Sequence, residues 1–208
     1  MSLDILSLLG WNNVFKIGYL YGQTKRSIPL NSTSILAGTY QQHINGLEAE
    51  LNLFNLKNQL SYVKINDNVS SLSSEQAGAT KPVENHVVSL FSQLKLSPLT
   101  YLTLEGAGTV YYHDTTVDLV DIDTLDLPIS GSLRDALLKI IPPLSSISLG
   151  AAYKADLQTP VFYRNVILKS HVSYAEPGFN SLGNAGVRKD NFEYGGDLGV
   201  RLFRNLFS

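Results

Sequence analysis

The sequence predicts an all-β fold, an antiparallel up-and-down β-barrel of about eight strands. Three observations carry that expectation. Apolar residues recur with a period of two over segments of about ten residues. The linkers between those segments alternate between short and long. Charged residues make up only 16% of the chain, against about 25% in an average soluble protein. The 208 residues read as one barrel domain, 1–208, truncated at one or both ends, because barrels of this length need not divide.

The clearest strand is Leu47 to Leu53, with Leu47, Ala49, Leu51 and Leu53 on one side and Glu48, Glu50 and Asn52 on the other. Ile147 to Leu157 repeats the pattern, setting Ile147, Leu149, Ala151, Tyr153 and Ala155 against Ser148, Gly150, Lys154 and Asp156. Val14 to Gly22, His86 to Leu96, Tyr101 to His113, Tyr163 to Tyr174 and Phe192 to Phe203 alternate less strictly. In Gln59 to Asn66 the apolar positions pass from Leu60 and Tyr62 to Val63 and Ile65. Either a bulge shifts that strand or both of its faces are partly apolar.

Short links fall at Phe54 to Lys57, Ser97 to Thr100 and Leu157 to Pro160. Long ones fall at Gln23 to Thr33, Asp67 to Asn85, Asp114 to Ser145 and Ala175 to Asn191. Tight turns at one end and long loops at the other are the pattern of barrels that cross a membrane. Tyr19, Tyr21, Tyr101, Tyr112, Tyr163, Tyr174 and Tyr194 fall near strand ends, where an interfacial girdle places amphipathic rings. Ser132 to Ile140 has a Ser N-cap and ends before Pro142 and Pro143, which predicts a short loop helix. No apolar run approaches the roughly 18 residues of a spanning helix. Met1 to Gly10 lacks a basic start and is interrupted by Asp4 and Ser7, so it does not read as a signal peptide. An exported form would begin upstream.

A net charge of −2 and the lack of a basic patch give no reason to expect nucleic acid. There are no cysteines, which excludes disulfides and thiolate chemistry. His43, His86, His113 and His171 show no ligand spacing, and no Gly-x-Ser-x-Gly elbow is present. Asp114, Asp118, Asp121, Asp123 and Asp126 form the one dense acidic run. It lacks the glycine and closing Glu of an EF-hand loop, so it reads as a solvated loop. Glu48 and Glu50 share a strand face and Asp197 lies on another strand's polar face, which invites comparison with a glycosidase pair. The expectation is no catalytic, cofactor or metal site. The polar sides of the strands instead supply Glu48, Glu50, Glu105, Lys154, Asp156, Lys169, Glu193, Asp197 and Arg201, charges of both signs that would face a barrel lumen and pair across it.

Ala37 to Tyr40, Val63 to Asp67, Lys81 to Asn85, Thr103 to Gly106, Gly178 to Asn184 and Arg201 to Asn205 occur in an order along the chain that resembles large, poorly characterised outer-membrane β-barrel proteins of Gram-negative bacteria. The resemblance spans most of the chain from Ala37 onward, on short and degenerate pieces. It implies an outer-membrane location, a fragment of a larger barrel, and a non-enzymatic role as scaffold, channel or secretion-related component. The implied partners are the lipid bilayer and other outer-membrane or secretion proteins. Two alternatives stand beside it. One is a soluble lipocalin-like ligand-binding barrel, which turns its apolar face inward. The other is an outer-membrane enzyme with a site in the long loops.

Overall fold

The computed structural model describes residues 2–3, 14–30, 38–117, 146–161, 166–183 and 188–200. Its strands are β1 (Ser2–Leu3), β2 (Phe15–Lys25), β3 (Gln41–Leu53), β4 (Leu56–Asn68), β5 (Glu84–Ser97), β6 (Thr100–Tyr112), β7 (Ile147–Pro160), β8 (Val166–Ala175) and β9 (Asn191–Val200). They form one sheet in chain order, each strand antiparallel to the next. β1 is two residues long, so the sheet has eight full-length strands. Its edges, β1 and β9, are not paired with each other, and among the described residues the sheet is open. No helix in the described residues is long and apolar enough to cross a membrane, which leaves crossing by strands untouched.

The strands run longer than alternation alone predicts. β3 starts at Gln41, six residues before Leu47, and β7 continues to Pro160. Leu157 to Pro160, expected as a turn, belong to β7, with Pro160 in the last pair with Ile167, where a missing N–H costs no interior ladder bond; residues 162–165 lie outside the described residues. The expected β8 start at Tyr163 and the expected helix at 132–140 lie outside the described residues. Ser2–Leu3, in the segment read as a poor leader, pairs with Gly18 and Ile17.

β4 resolves its ambiguity without a bulge. Its pairing with β3 and β5 runs uninterrupted from Leu56 to Asn66, so both of its faces are partly apolar. The bulges are elsewhere, between Gln23 and Lys25 and between Lys95 and Ser97. The two-residue turn at Phe54 and Asn55 has Phe54 at φ 51°, in the left-handed region that tight hairpin turns favour.

Register transmits one face across the whole sheet. Leu51 pairs with Asn58 and Phe15, Leu60 with Leu90, Leu90 with Gly106, and Gly106 with Tyr153, Tyr174 and Phe192 in succession. This face is apolar. Every strongly exposed large hydrophobic residue in the strands lies on it except Leu20 and the bulged Leu96. The opposite face is polar and carries small residues. Buried hydrophobic side chains among the described residues are few: Tyr40, Ile65, Leu72, Ala77, Tyr112, Ala175 and Phe179. The usual rule, apolar side chains sheltered and polar ones exposed, is inverted: Leu60 is 53% exposed, while Glu50 on the other face shows 13% of its side chain.

The strands are staggered. A row of direct partners that starts at Glu48 in mid-β3 passes through Ser61, Ser89, Ala107, Ala152 and Ala175 and arrives at Asn191, the first residue of β9. Such a progressive offset is what tilts strands in a curved sheet.

Among the full-length strands β2 to β9 the links sort by length: the strand ends joined across 54–55, 98–99 and 161–165 lie at one end of the sheet, and those joined across 26–40, 69–83, 113–146 and 176–190 at the other. Tyr40, Leu72 and Ala77 form a small apolar cluster at the loop end. It is organised by the helical turn α1 (Ser74–Ala77), which closes with a Ser73/Gln76 capping box. Asp114, at the base of 113–146, accepts from the Thr116 hydroxyl at 2.5 Å and its amide at 2.8 Å, with Lys81 Nζ at 3.4 Å. These contacts, the Thr116 hydroxyl first, hold its carboxyl below the usual range against the opposing effect of burial. A carboxylate with a depressed pKa stabilises the fold above its unfolded value and loses that contribution as pH falls through the folded one. The Asp114 carboxyl carbon should therefore titrate by NMR with a midpoint below about 3.9; a midpoint at or above that value contradicts the assignment.

Candidate functional site: the polar face and its strap

Eight of the nine charged residues nominated from sequence, Glu48, Glu50, Glu105, Lys154, Asp156, Lys169, Glu193 and Asp197, lie on the polar face, each reached from the others through the strand registers. Arg201 lies outside the described residues.

The structure draws them into separate groups. Lys154 reaches Asp156 at 2.9 Å along its own strand and Glu105, its direct partner on β6, at 3.9 Å. Lys169 stands opposite Asp197. Glu50 is held by Lys57 at 3.0 Å, Lys16 at 3.6 Å and the Asn52 amide at 2.7 Å. Lys16 and Lys57 were not singled out from sequence, although each sits at an even step from the polar residues around it. Glu48 and Glu50 on β3 and Asp197 on β9 are separated by five intervening strands in the sheet order.

What the sequence did not reveal is a strap, residues 176–183, folded across the loop end of the polar face. Glu176 continues the β7 ladder, its amide donating to the Ala151 carbonyl and its carboxylate accepting from the Ala151 amide. The chain then turns at Pro177 and Gly178 and passes directly over Gly150. A Cβ on Gly150 would stand 2.1 Å from the Phe179 amide nitrogen, and one on Gly178 would stand 1.9 Å from the Leu149 carbonyl oxygen. Both positions need glycine because two backbones touch there.

Asn85 pins the strap to β5. Fully buried, it donates to Thr109 Oγ1 at 2.8 Å and to the Asn180 carbonyl at 3.0 Å, and accepts from the Leu182 amide at 3.0 Å. The Thr109 hydroxyl donates to the same Asn180 carbonyl and the Ser148 hydroxyl to the Gly178 carbonyl. Lys189 donates to the Asn180 side chain. Ile65 of β4 lies below Gly183, which explains a buried isoleucine on a polar face.

The apolar face has its own polar margin at the loop end. Tyr62 OH lies 2.7 Å from His86 Nδ1, His86 Nε2 lies 2.7 Å from Glu84, and Lys64 Nζ lies 2.9 Å from the same carboxylate. Both ring nitrogens of His86 thus have a hydrogen-bond partner, which allows the ring to be buried. Of the tyrosines expected at an interface, Tyr19, Tyr21, Tyr112, Tyr174 and Tyr194 lie on the apolar face. Tyr101 lies on the polar one, and 163 is outside the described residues.

His43 stacks with Tyr21, His113 meets Tyr111 edge-on, and the His171 ring occupies the space beside Gly195. Among the described residues no three His, Asp or Glu side chains are grouped to hold a metal ion. In comparison with known proteins, no family model, curated protein or solved structure matches the chain.

Proposed function

We propose that this chain forms all or part of a transmembrane β-barrel of a bacterial outer membrane, with the apolar face against lipid and the polar face lining the lumen, and that it works without catalysis as a channel, scaffold or secretion-related component. The carrying observation is the exposed apolar face. In water such a surface, with exposed large apolar side chains on every strand from β2 to β9, costs free energy at every strand, and soluble monomers leave bare only about a few hundred Å². Against hydrocarbon it costs nothing, the ladders between neighbouring strands satisfy the backbone within the sheet, and the two edges need the closure of a complete barrel. The stagger, the sorted connections and the tyrosine-rich loop-end margin agree with this placement. The resemblance to large outer-membrane barrels belongs to the same reading. The lumen is narrowed at its loop end by the strap, and its partners are the bilayer and other envelope proteins.

The test uses the absence of native cysteine. A nitroxide replacing Leu90 should be relaxed by lipid-dissolved oxygen in refolded vesicles, and one replacing Ser89, on the other face, by a water-soluble nickel chelate. A Leu90 label shielded from both reagents indicates a soluble fold with a covered apolar face and overturns the proposal.

A further inference from the structure

We propose that the polar face carries a binding site for a small zwitterion, a free amino acid or short peptide, in the trough between the strap and the charged row of β5–β9. The inference rests on reading this face as a water-filled lumen wall. The trough has a structural cause. Ser89, Ala107, Ala152 and Ala175 are direct partners across four strands, so small side chains leave the sheet backbone as a floor. One step toward the turns, the next row on the same face carries Phe91, Glu105, Lys154, Ser173 and Glu193. On the loop side the strap, with Phe179, forms the opposite wall. The depression measures about 460 Å³ and is bounded toward β9 by Arg188 and Asn191, within the roughly 300–1,000 Å³ of small-molecule sites.

Charge selects the ligand. Glu105, Glu193, Lys154 and Arg188 line the same space, two of each sign, so the site is balanced and favours a solute with no net charge. Lys154 is occupied by Asp156 and Glu105. Glu193 and Arg188 make no ion pair with each other or with any other described residue. One carboxylate and one guanidinium are thus left for a ligand that brings an ammonium and a carboxylate of its own, each forming a charge-assisted hydrogen bond. An anion meets two carboxylates, a cation meets two cationic side chains, and a neutral sugar leaves both open charges unanswered. Phe91 and the alanine floor receive the apolar part of the solute.

The test is calorimetric titration of the full chain, refolded in detergent micelles, with leucyl-alanine, using sucrose and N-acetyl-leucinamide as uncharged comparisons. Saturable binding of the dipeptide alone is expected, weakened about tenfold or more by Arg188→Gln and by Glu193→Gln, a loss of about 1.4 kcal/mol each. Neither residue holds another described side chain in an ion pair, so the variants should fold as the parent does. No binding of the dipeptide, equal affinity in both variants, or equal binding of either uncharged compound overturns the site. The Leu90 nitroxide in the same micelles separates the two readings. If that label contacts the apolar phase and the dipeptide fails to bind, the site alone falls. If the label is shielded while the dipeptide binds and both variants weaken it, the site stands and the lumen assignment falls.

Discussion

Leu104→Arg is expected to cost about 2–4 kcal/mol when the chain is refolded into phospholipid vesicles, and Thr103→Arg much less. The two residues are neighbours on β6 and face opposite ways. Leu104, 49% exposed, lies between Ser92 and Ala155 on the apolar face, well inside the belt. An arginine there must be drawn out of hydrocarbon or drag water in. Thr103 stands opposite Asp156 on the polar face, so an arginine there stays in the water of the lumen. Glu50 makes a poor comparison site, because Lys57 and Lys16 already converge on it. The exposure of Leu104 gives the experiment its force. In an aqueous fold a half-exposed leucine accepts arginine within about 0.5 kcal/mol, so the penalty belongs to the lipid. Equilibrium denaturation in vesicles measures it, and equal costs at 103 and 104 contradict the belt.

The strands were legible where one face meets a uniform environment. β3 and β7 alternate cleanly because Leu47, Leu51, Leu149 and Tyr153 all project to the bare face, and alternation is a local property that a single sequence displays. The same property placed eight charged residues on the polar face. It could not say which of them meet, since pairing depends on the register between strands. Lys16 and Glu50 are brought together by the β2–β3 ladder and Lys57 and Glu50 by the β3–β4 hairpin. β4 was ambiguous for a physical reason. Ile65 is apolar because Gly183 of the strap covers it, a contact between residues more than a hundred positions apart. The strap itself reads as an ordinary turn-rich loop around Pro177 and Gly178, and nothing near Asn85 marks that residue as its anchor.

Gly150→Ala should lift the strap from the sheet, and Asn85→Ala should loosen it. At Gly150 the added methyl would arrive 2.1 Å from the Phe179 nitrogen and 2.3 Å from the Gly178 carbonyl carbon. Both are backbone atoms, so no side-chain rotation relieves the clash and the segment must move. Asn85→Ala leaves the half-buried Leu182 amide without its side-chain partner and the Asn180 carbonyl with the Thr109 hydroxyl alone, a loss of about 1–3 kcal/mol. That corresponds to roughly fivefold to 150-fold faster exchange of the Leu182 amide. Gly108→Ala is the matched comparison, since a methyl there meets nothing within 4 Å. In the proposed barrel a lifted strap also widens the loop end of the lumen, so single-channel conductance should rise in Gly150→Ala and stay at the parental level in Gly108→Ala. Parental amide exchange in Gly150→Ala, or the same change in both glycine variants, contradicts the docked strap. Faster exchange with unchanged conductance leaves the strap in place but removes it from any conducting path.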